Sequence, residues 1–217
     1  MFTGIVQAVG EVRALERRGS GARARIGTPP GFLEGVAVGD SIAVSGVCLT
    51  AVTVAPGAFE ADLSAETLAR TTLGRLTARA RVNLEKALTL STPLGGHLVT
   101  GHVDGVATVA ARQPRGECVL LRFRLPGGLA RYVARKGSVA VDGVSLTVNA
   151  VEGETFDVSL VPHTLAVTTL DGLRPGARVN LEVDIVARYL ERLLEGRLDD
   201  GLTWERLAGL GLGAREG

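Results

Sequence analysis

Among the side chains able to do chemistry, Cys48 is set apart by its surroundings. It lies in Ser45-Gly46-Val47-Cys48-Leu49-Thr50, and the same frame returns as Asp142-Gly143-Val144-Ser145-Leu146-Thr147, with a hydroxyl in place of the thiol. A thiolate is a nucleophile and a thiol can pass a proton, but at an ordinary pKa of about 8.5 activation needs a nearby cation. A free cysteine otherwise serves as a small buried hydrophobe. His97 and His102 are five positions apart, which fits neither a helical pair of ligands nor a zinc ribbon. Cys48 and Cys118 lie far apart and in no metal spacing, so neither a disulfide scaffold nor a metal site is expected.

The repeated frame belongs to a longer duplication. Thr3-Gly4 with Val6, Val9 and Val12 returns as Thr100-Gly101 with Val103, Val106 and Val109, always 97 positions on. Phe59 and Leu63 return as Phe156 and Leu160, and Thr67-Leu68-Ala69 as Thr164-Leu165-Ala166. Ala80-Arg81-Val82-Asn83-Leu84-Glu85 returns as Ala177-Arg178-Val179-Asn180-Leu181-Glu182, again with no insertion. The period exceeds a solenoid unit and matches a small domain. The boundary falls in Thr89-Leu90-Ser91-Thr92-Pro93-Leu94-Gly95-Gly96, where Pro and paired Gly interrupt the pattern.

Several elements must position these residues. Ile5 to Val12, Ala24 to Ile26, Ser41 to Val44, Cys48 to Val54 and Arg79 to Leu84 read as strands. Helical turns are expected at Gly31 to Leu33 and at Ala65 to Leu73, the latter capped by Ser64 with Glu66 in its first turn. Many short strands in each copy predict a mainly β fold of two tandem Greek-key barrels, which leave no open edge. From Ile185 the period changes: Tyr189, Leu190, Leu193 and Leu194 form an amphipathic stripe that stops near Gly196. That stripe packs on its own barrel or on copies of itself around a symmetry axis. The Gly-rich tail beyond Gly209 is expected to be poorly ordered.

Composition narrows the class. Hydrophobic residues make up 46% and charged residues 22% of the 217, with a net charge of +1. That balance gives no electrostatic footprint for nucleic acid or an anionic membrane. No run of 18 apolar residues exists, and Met1-Phe2-Thr3-Gly4 does not open a signal peptide, so a cytoplasmic protein is expected.

Taken together, Met1-Phe2-Thr3-Gly4-Ile5-Val6, the Cys48 and Ser145 frames, and Gly95-Gly96-His97-Leu98-Val99-Thr100-Gly101-His102-Val103 resemble the riboflavin synthase family. The resemblance spans about residues 1 to 207. It implies an N-terminal lumazine-binding barrel over residues 1–90, a second over 98–184, and an oligomerisation helix with tail over 185–207. Each barrel would have six strands, and the chain would form a homotrimer. The implied reaction is a dismutation. Two molecules of 6,7-dimethyl-8-ribityllumazine exchange a four-carbon unit, giving riboflavin and 5-amino-6-ribitylaminouracil, with no cofactor or metal. Lumazine synthase is a further implied partner. Two similar pockets held face to face would make the encounter of two identical molecules effectively unimolecular.

Position by position, the resemblance implies that the first pocket uses Gly4-Ile5-Val6, Cys48-Leu49-Thr50 and Asp62-Leu63-Ser64-Ala65-Glu66-Thr67. The second would use Gly101-His102-Val103, Lys136, Ser145-Leu146-Thr147 and Ser159-Leu160-Val161-Pro162-His163-Thr164. Backbone amides and Thr hydroxyls can read a pyrimidinedione edge, and Glu66 can accept from ribityl hydroxyls. His163 stands where a second Glu is expected, so the charge there depends on pH. The catalytic candidates are Cys48, His102 and Ser41: the thiol to add to the ring or move a proton, His102 to deprotonate the 7-methyl group, Ser41 to hold a water at the reacting carbon. His97 is read as a structural hydrogen-bonding residue, and Asp184 as a helix cap or a polar residue at a subunit interface. Cys118 is read as core.

The copies differ at Ile5/His102, Gly39/Lys136, Cys48/Ser145, Glu66/His163 and Ala87/Asp184. These pairs are candidates for unequal roles as donor and acceptor. The competing class is a carrier that binds lumazine or flavin without turnover. A flavin reductase domain would instead be followed by a Gly-x-Gly-x-x-Gly nucleotide-binding domain, and the 217 residues hold no such motif.

Overall fold

The computed structural model describes residues 1–198, with side chains to 195. The first copy supplies β1 (Ala8–Arg18), β2 (Gly21–Gly27), β3 (Ser41–Val44), β4 (Val47–Ala55), β5 (Ala58–Leu63) and β6 (Arg81–Lys86). The second supplies β7 (Gly105–Arg115), β8 (Cys118–Arg124), β9 (Ser138–Val141), β10 (Val144–Glu152), β11 (Thr155–Leu160) and β12 (Arg178–Val183). Short helices α1 (Ala65–Arg70) and α2 (Pro162–Val167) lead through 3-10 turns into the last strand of each copy.

Each copy closes into a six-stranded antiparallel barrel, ordered β1-β2-β5-β4-β3-β6 in the first and β7-β8-β11-β10-β9-β12 in the second. Even the irregularities repeat. Register shifts between Val12 and Ala14 and between Ala51 and Thr53 recur between Val109 and Ala111 and between Val148 and Ala150. Such bulges bend strands, which closing a small barrel demands. Alternation fills each interior. Ile42, Val44, Leu49, Phe59, Val82 and Leu84 are buried in the first barrel. Their counterparts Val139, Val141, Leu146, Phe156, Val179 and Leu181 are buried in the second, where Phe123 stacks on Phe156 at 5.2 Å.

Several expectations need correction. Gly31 to Leu33 is a series of turns, not a helix, because Gly31 takes a left-handed φ of 82°. The segment from Ala65 breaks at Thr71, which caps the following 3-10 turn. Ile5 and Val6 precede β1 and are not part of it. Strand β5 had no clear signal, since Ala, Glu and Asp alternate with its core residues. Cys118 begins β8 and is half-exposed, so it is not core.

Met1–Asp184 forms one compact unit, and the chain from Ile185 forms another. That second unit opens with α3 (Ile185–Leu198), which runs past Gly196 because one glycine costs a helix only about 1 kcal/mol. Tyr189, Leu190, Leu193 and Leu194 are exposed along it. The tail beyond Gly209, and the part of the 185–207 segment after Leu198, lie outside the described residues. Among the described residues no helix is long and apolar enough to cross a membrane.

Candidate active site at the seam between the barrels

The site starts from two buried glutamates. In β6, Val82 and Leu84 face the core, so Asn83 and Glu85 point out of the barrel; both are nonetheless buried, under segments that lie across the seam. Glu85 Oε1 accepts from the Thr3 N–H at 2.6 Å and the Thr3 hydroxyl at 2.7 Å, and Oε2 accepts from the Gly4 N–H at 3.0 Å. Glu182 repeats the arrangement with Thr100 at 2.6 and 2.7 Å and Gly101 at 2.9 Å. Burial pushes both carboxyls above the usual carboxylate range, against the pull of these donors. Sequence reasoning quoted these glutamates without giving them a task. The signal was there: a repeated acid alternating with core residues on a strand.

Each glutamate fixes its own copy's leading segment, and each segment docks on the other copy. Gly4 O accepts from Ser145 N–H at 2.8 Å, and Gly101 O accepts from Cys48 N–H at 2.9 Å. A Cβ on Gly4 would come within 2.6 Å of the Ser145 Cβ, and one on Gly101 equally close to that of Cys48. Both glycines also hold left-handed φ angles, 75° and 81°. Val103 packs against the first barrel's core. The grouping therefore differs from the one implied by the resemblance. Gly101-His102-Val103 belongs with Cys48-Leu49-Thr50, and Gly4-Ile5-Val6 with Ser145-Leu146-Thr147. Backbone pairing between Phe2 and Val99 ties the two segments together, and Phe2, Val99, Ala43 and Ala140 form a small core with Cys48 and Ala87 against it.

The strand registers then order the side chains. Thr50 lies opposite Ser41 and Cys48 opposite Ala43, so Ser41, Cys48 and Thr50 share the outer face of the first barrel. Thr147 opposite Ser138 and Ser145 opposite Ala140 repeat the row. Leu49, Leu63, Leu146 and Leu160 are buried in the cores, which leaves only their main chain to meet a ligand. Ser41 also lines a cavity of about 290 Å³ with Lys86 and Ala87.

The outer ends differ between copies. Ser64 caps α1 by accepting from the Thr67 N–H at 3.0 Å, and Glu66 pairs with Arg70 at 2.9 Å. Asp62 is held by Arg23 through two bonds of 2.7 Å, which lower its pKa. Ala65 is exposed beside them. In the second copy Ser159, Val161, Pro162 and His163 are exposed, Thr164 is half-buried, and α2 has Pro162 in its first turn and no side-chain cap. His102 is exposed at the end of its segment. Lys136 takes a φ of 69° where its counterpart Gly39 has 99°. A long side chain is thus kept at a position whose backbone favours glycine.

Of the two central side chains, Ser145 and not Cys48 has a histidine partner among the described residues. His97 Nδ1 lies 2.7 Å from Ser145 Oγ, and His97 N–H donates to Thr3 O at 3.1 Å. Burial lowers the His97 pKa, partly offset by the Asp184 carboxylate. The imidazole is therefore neutral near pH 7 and can take either part in a hydrogen bond. Its Nε2 is buried without a protein partner. Gly96 makes room for the pair, since a Cβ there would run into Thr3 O and Ser145. Among the described residues the Cys48 thiol makes no hydrogen bond.

The family model for the lumazine binding domain matches twice, over residues 3–87 and 100–184. The chain belongs to the riboflavin synthase family. It is 46% identical over 194 residues to the riboflavin synthase of Photobacterium phosphoreum, covering 89% of each chain. It is 50% identical over 198 residues to that of Mycobacterium bovis, covering 89% of this chain and 98% of the relative. Among solved structures, LumP complexed with 6,7-dimethyl-8-(1'-D-ribityl) lumazine superposes with a TM-score of 0.77 at 26% identity, over 84% of this chain and 99% of that one. The family's duplicated domain corresponds to the two barrels, and its matched segments include the leading strips that cross the seam.

Proposed function

We propose that this chain is a riboflavin synthase, converting two molecules of 6,7-dimethyl-8-ribityllumazine into riboflavin and 5-amino-6-ribitylaminouracil. The carrying observation is the pair of matched edges at the seam: Cys48 to Thr50 under Gly101 to Val103, and Ser145 to Thr147 under Gly4 to Val6. A reaction between two copies of one molecule calls for two grips of the same design. The transfer balances within the two substrates. The four carbons leaving one ring system are those gained by the other, and no external oxidant or reductant enters.

In this reading the main chain and Thr hydroxyls of each edge hold the pyrimidinedione, while Ser64, Glu66 and Thr67, or His163 and Thr164, meet the ribityl chain. Lys136 adds a cation at the second edge. Cys48, His102 and Ser41 supply proton transfer or addition at the reacting carbons. The division into residues 1–90, 98–184 and 185–207 follows, with the last as the oligomerising segment. A homotrimer in the cytoplasm, working with lumazine synthase, completes the proposal. Two observations support assembly. Ile5 and Val161 remain 49% exposed beside the edges, and α3 exposes Tyr189 and Leu193.

The test is direct. Purified protein mixed with the lumazine, without added cofactor, should develop the absorbance and fluorescence of riboflavin. Tight binding without product would overturn the enzyme reading and leave a protein that only carries its ligand.

A further inference from the structure

A separate cleft of about 390 Å³ opens where the barrels meet, and neither Cys48 nor Ser145 lines it. Its polar walls come in pairs one repeat apart: Arg81 with Arg178, Thr72 with Thr169, Ser45 with Asp142. Leu76 and Leu173 make a fourth pair. The cleft therefore sits on the local twofold axis and belongs equally to both copies.

Its frame is rigid and built across the axis. Asn83 donates from Nδ2 to Asp142 O at 2.9 Å and accepts at Oδ1 from the Thr169 N–H at 2.8 Å. Asn180 mirrors it, with Ser45 O at 2.8 Å and the Thr72 N–H at 2.7 Å. These bonds use the threonine amides and leave their hydroxyls uncommitted: among the described residues neither hydroxyl forms a hydrogen bond.

The charge has no internal answer. Neither the Arg81 nor the Arg178 guanidinium forms a hydrogen bond or ion pair among the described residues, although Glu11 lies opposite Arg81 in the β1–β6 ladder. Both are exposed, so neither serves the cores, and neither lies in the strips or edges at the seam. The duplication has nonetheless kept arginine in both copies. The one carboxyl in the lining, Asp142, is buried, and burial moves its pKa up to about 7 against the pull of the Asn180 N–H. The lining is thus net positive near neutral pH.

We propose that this cleft binds a phosphate group, free or as the end of a phosphate monoester, between Arg81 and Arg178 with the Thr72 and Thr169 hydroxyls donating. Guanidinium forks match the paired oxygens of phosphate. Inorganic phosphate can lay one of its own twofold axes along that of the cleft and present equivalent oxygens to both halves, whereas a monoester gives up that symmetry and keeps three oxygens for the two forks. The inference stands independently of the lumazine chemistry.

Calorimetric titration of the full chain with inorganic phosphate, at ionic strength held constant with chloride, tests it. Saturable binding is expected, weakened at least tenfold in the double variant Arg81→Ala, Arg178→Ala. Glycerol phosphate forms the second arm: tighter binding than inorganic phosphate assigns the site to a monoester, and weaker binding assigns it to the free ion. Lumazine turnover should be unchanged in the double variant. Should that variant not fold, the Arg81→Lys, Arg178→Lys pair keeps the charge and loses the forks, and weakened binding is again expected. Absence of saturable phosphate binding, or equal affinity in the variants, overturns the proposal.

Discussion

His97 Nδ1 and Ser145 Oγ lie 2.7 Å apart, joining the residue that opens the second copy to the hydroxyl that replaces the thiol of the first. The bond ties the orientation of the Ser145 side chain to a neutral imidazole. Among the described residues Cys48 has no such partner, so the two edges differ in how firmly the central side chain is held.

Replacing His97 with Ala should therefore act at one edge only. The expected outcome is a weaker grip at the Ser145 edge, with KM raised about tenfold, since one hydrogen bond is worth about 1 kcal/mol and a freed, half-buried partner adds to it. The Cys48 edge should bind as before. Titrating the wild type and the variant with a lumazine analogue that binds two sites per chain checks this. A burial-lowered histidine pKa also makes a pH prediction: the folded chain binds this proton less readily than the unfolded one, so its contribution to stability fades as pH falls below about 6.5. His97→Ala should flatten that part of the profile.

The glutamates predict crossed effects. Glu182→Gln puts an amide where Gly101 or Thr100 needs an acceptor, and should release the strip covering Cys48, in the other barrel. Glu85→Gln should release the strip covering Ser145. Each change should cost about 3 kcal/mol of stability, in line with lost bonds to a charged acceptor. Denaturant unfolding and site-resolved binding would show whether damage appears across the seam or within the mutated barrel.

Cys48→Ser converts the first edge to the chemistry of the second. With the thiol as a reacting group, turnover falls by about a hundredfold or more while binding is kept, the range in which general acid–base or nucleophilic groups act. An unchanged rate removes the thiol from the mechanism and leaves it as pocket lining. Single-turnover kinetics with the lumazine separates the two outcomes.

Asp142 predicts a pH dependence of the opposite sign to that of His97. Its folded pKa, about 7, lies above that of an ordinary carboxyl, so the folded chain holds the proton longer and stability falls as pH rises from about 4 through 7. Asp142→Asn keeps the acceptor for the Asn180 N–H and removes the buried charge. The variant should gain on the wild type above neutral pH, by a few kcal/mol at most, with the difference shrinking as pH falls. Thermal melts across that range are the check.

Much of the fold was legible because the duplication is regular: an offset of 97 without insertions places every strand of one copy on the other. Local backbone detail was harder to read. The turns around Gly31 depend on a left-handed residue, and β5 hides its core positions among Ala, Glu and Asp. At the site, the chemistry-bearing residues could be named, but not which strip serves which edge. Sequence neighbours suggest that Gly4 serves Cys48. The exchange arises from bonds between segments dozens of residues apart, as Gly4 to Ser145 and Gly101 to Cys48. The crossed asparagines Asn83 and Asn180 were visible as a repeat, but their partners in the opposite copy were not.

Those crossed bonds are the contacts of a self-complementary dimer, in which each surface meets its own image. Carried within one polypeptide, the pairing no longer depends on concentration. It also frees the halves from being identical. In an assembly of separate, equal chains every substitution appears on both sides of the axis at once. Here Asp142 stands where the other copy has Ser45, and Ser145 where it has Cys48, so one side can change its chemistry while the other keeps its own.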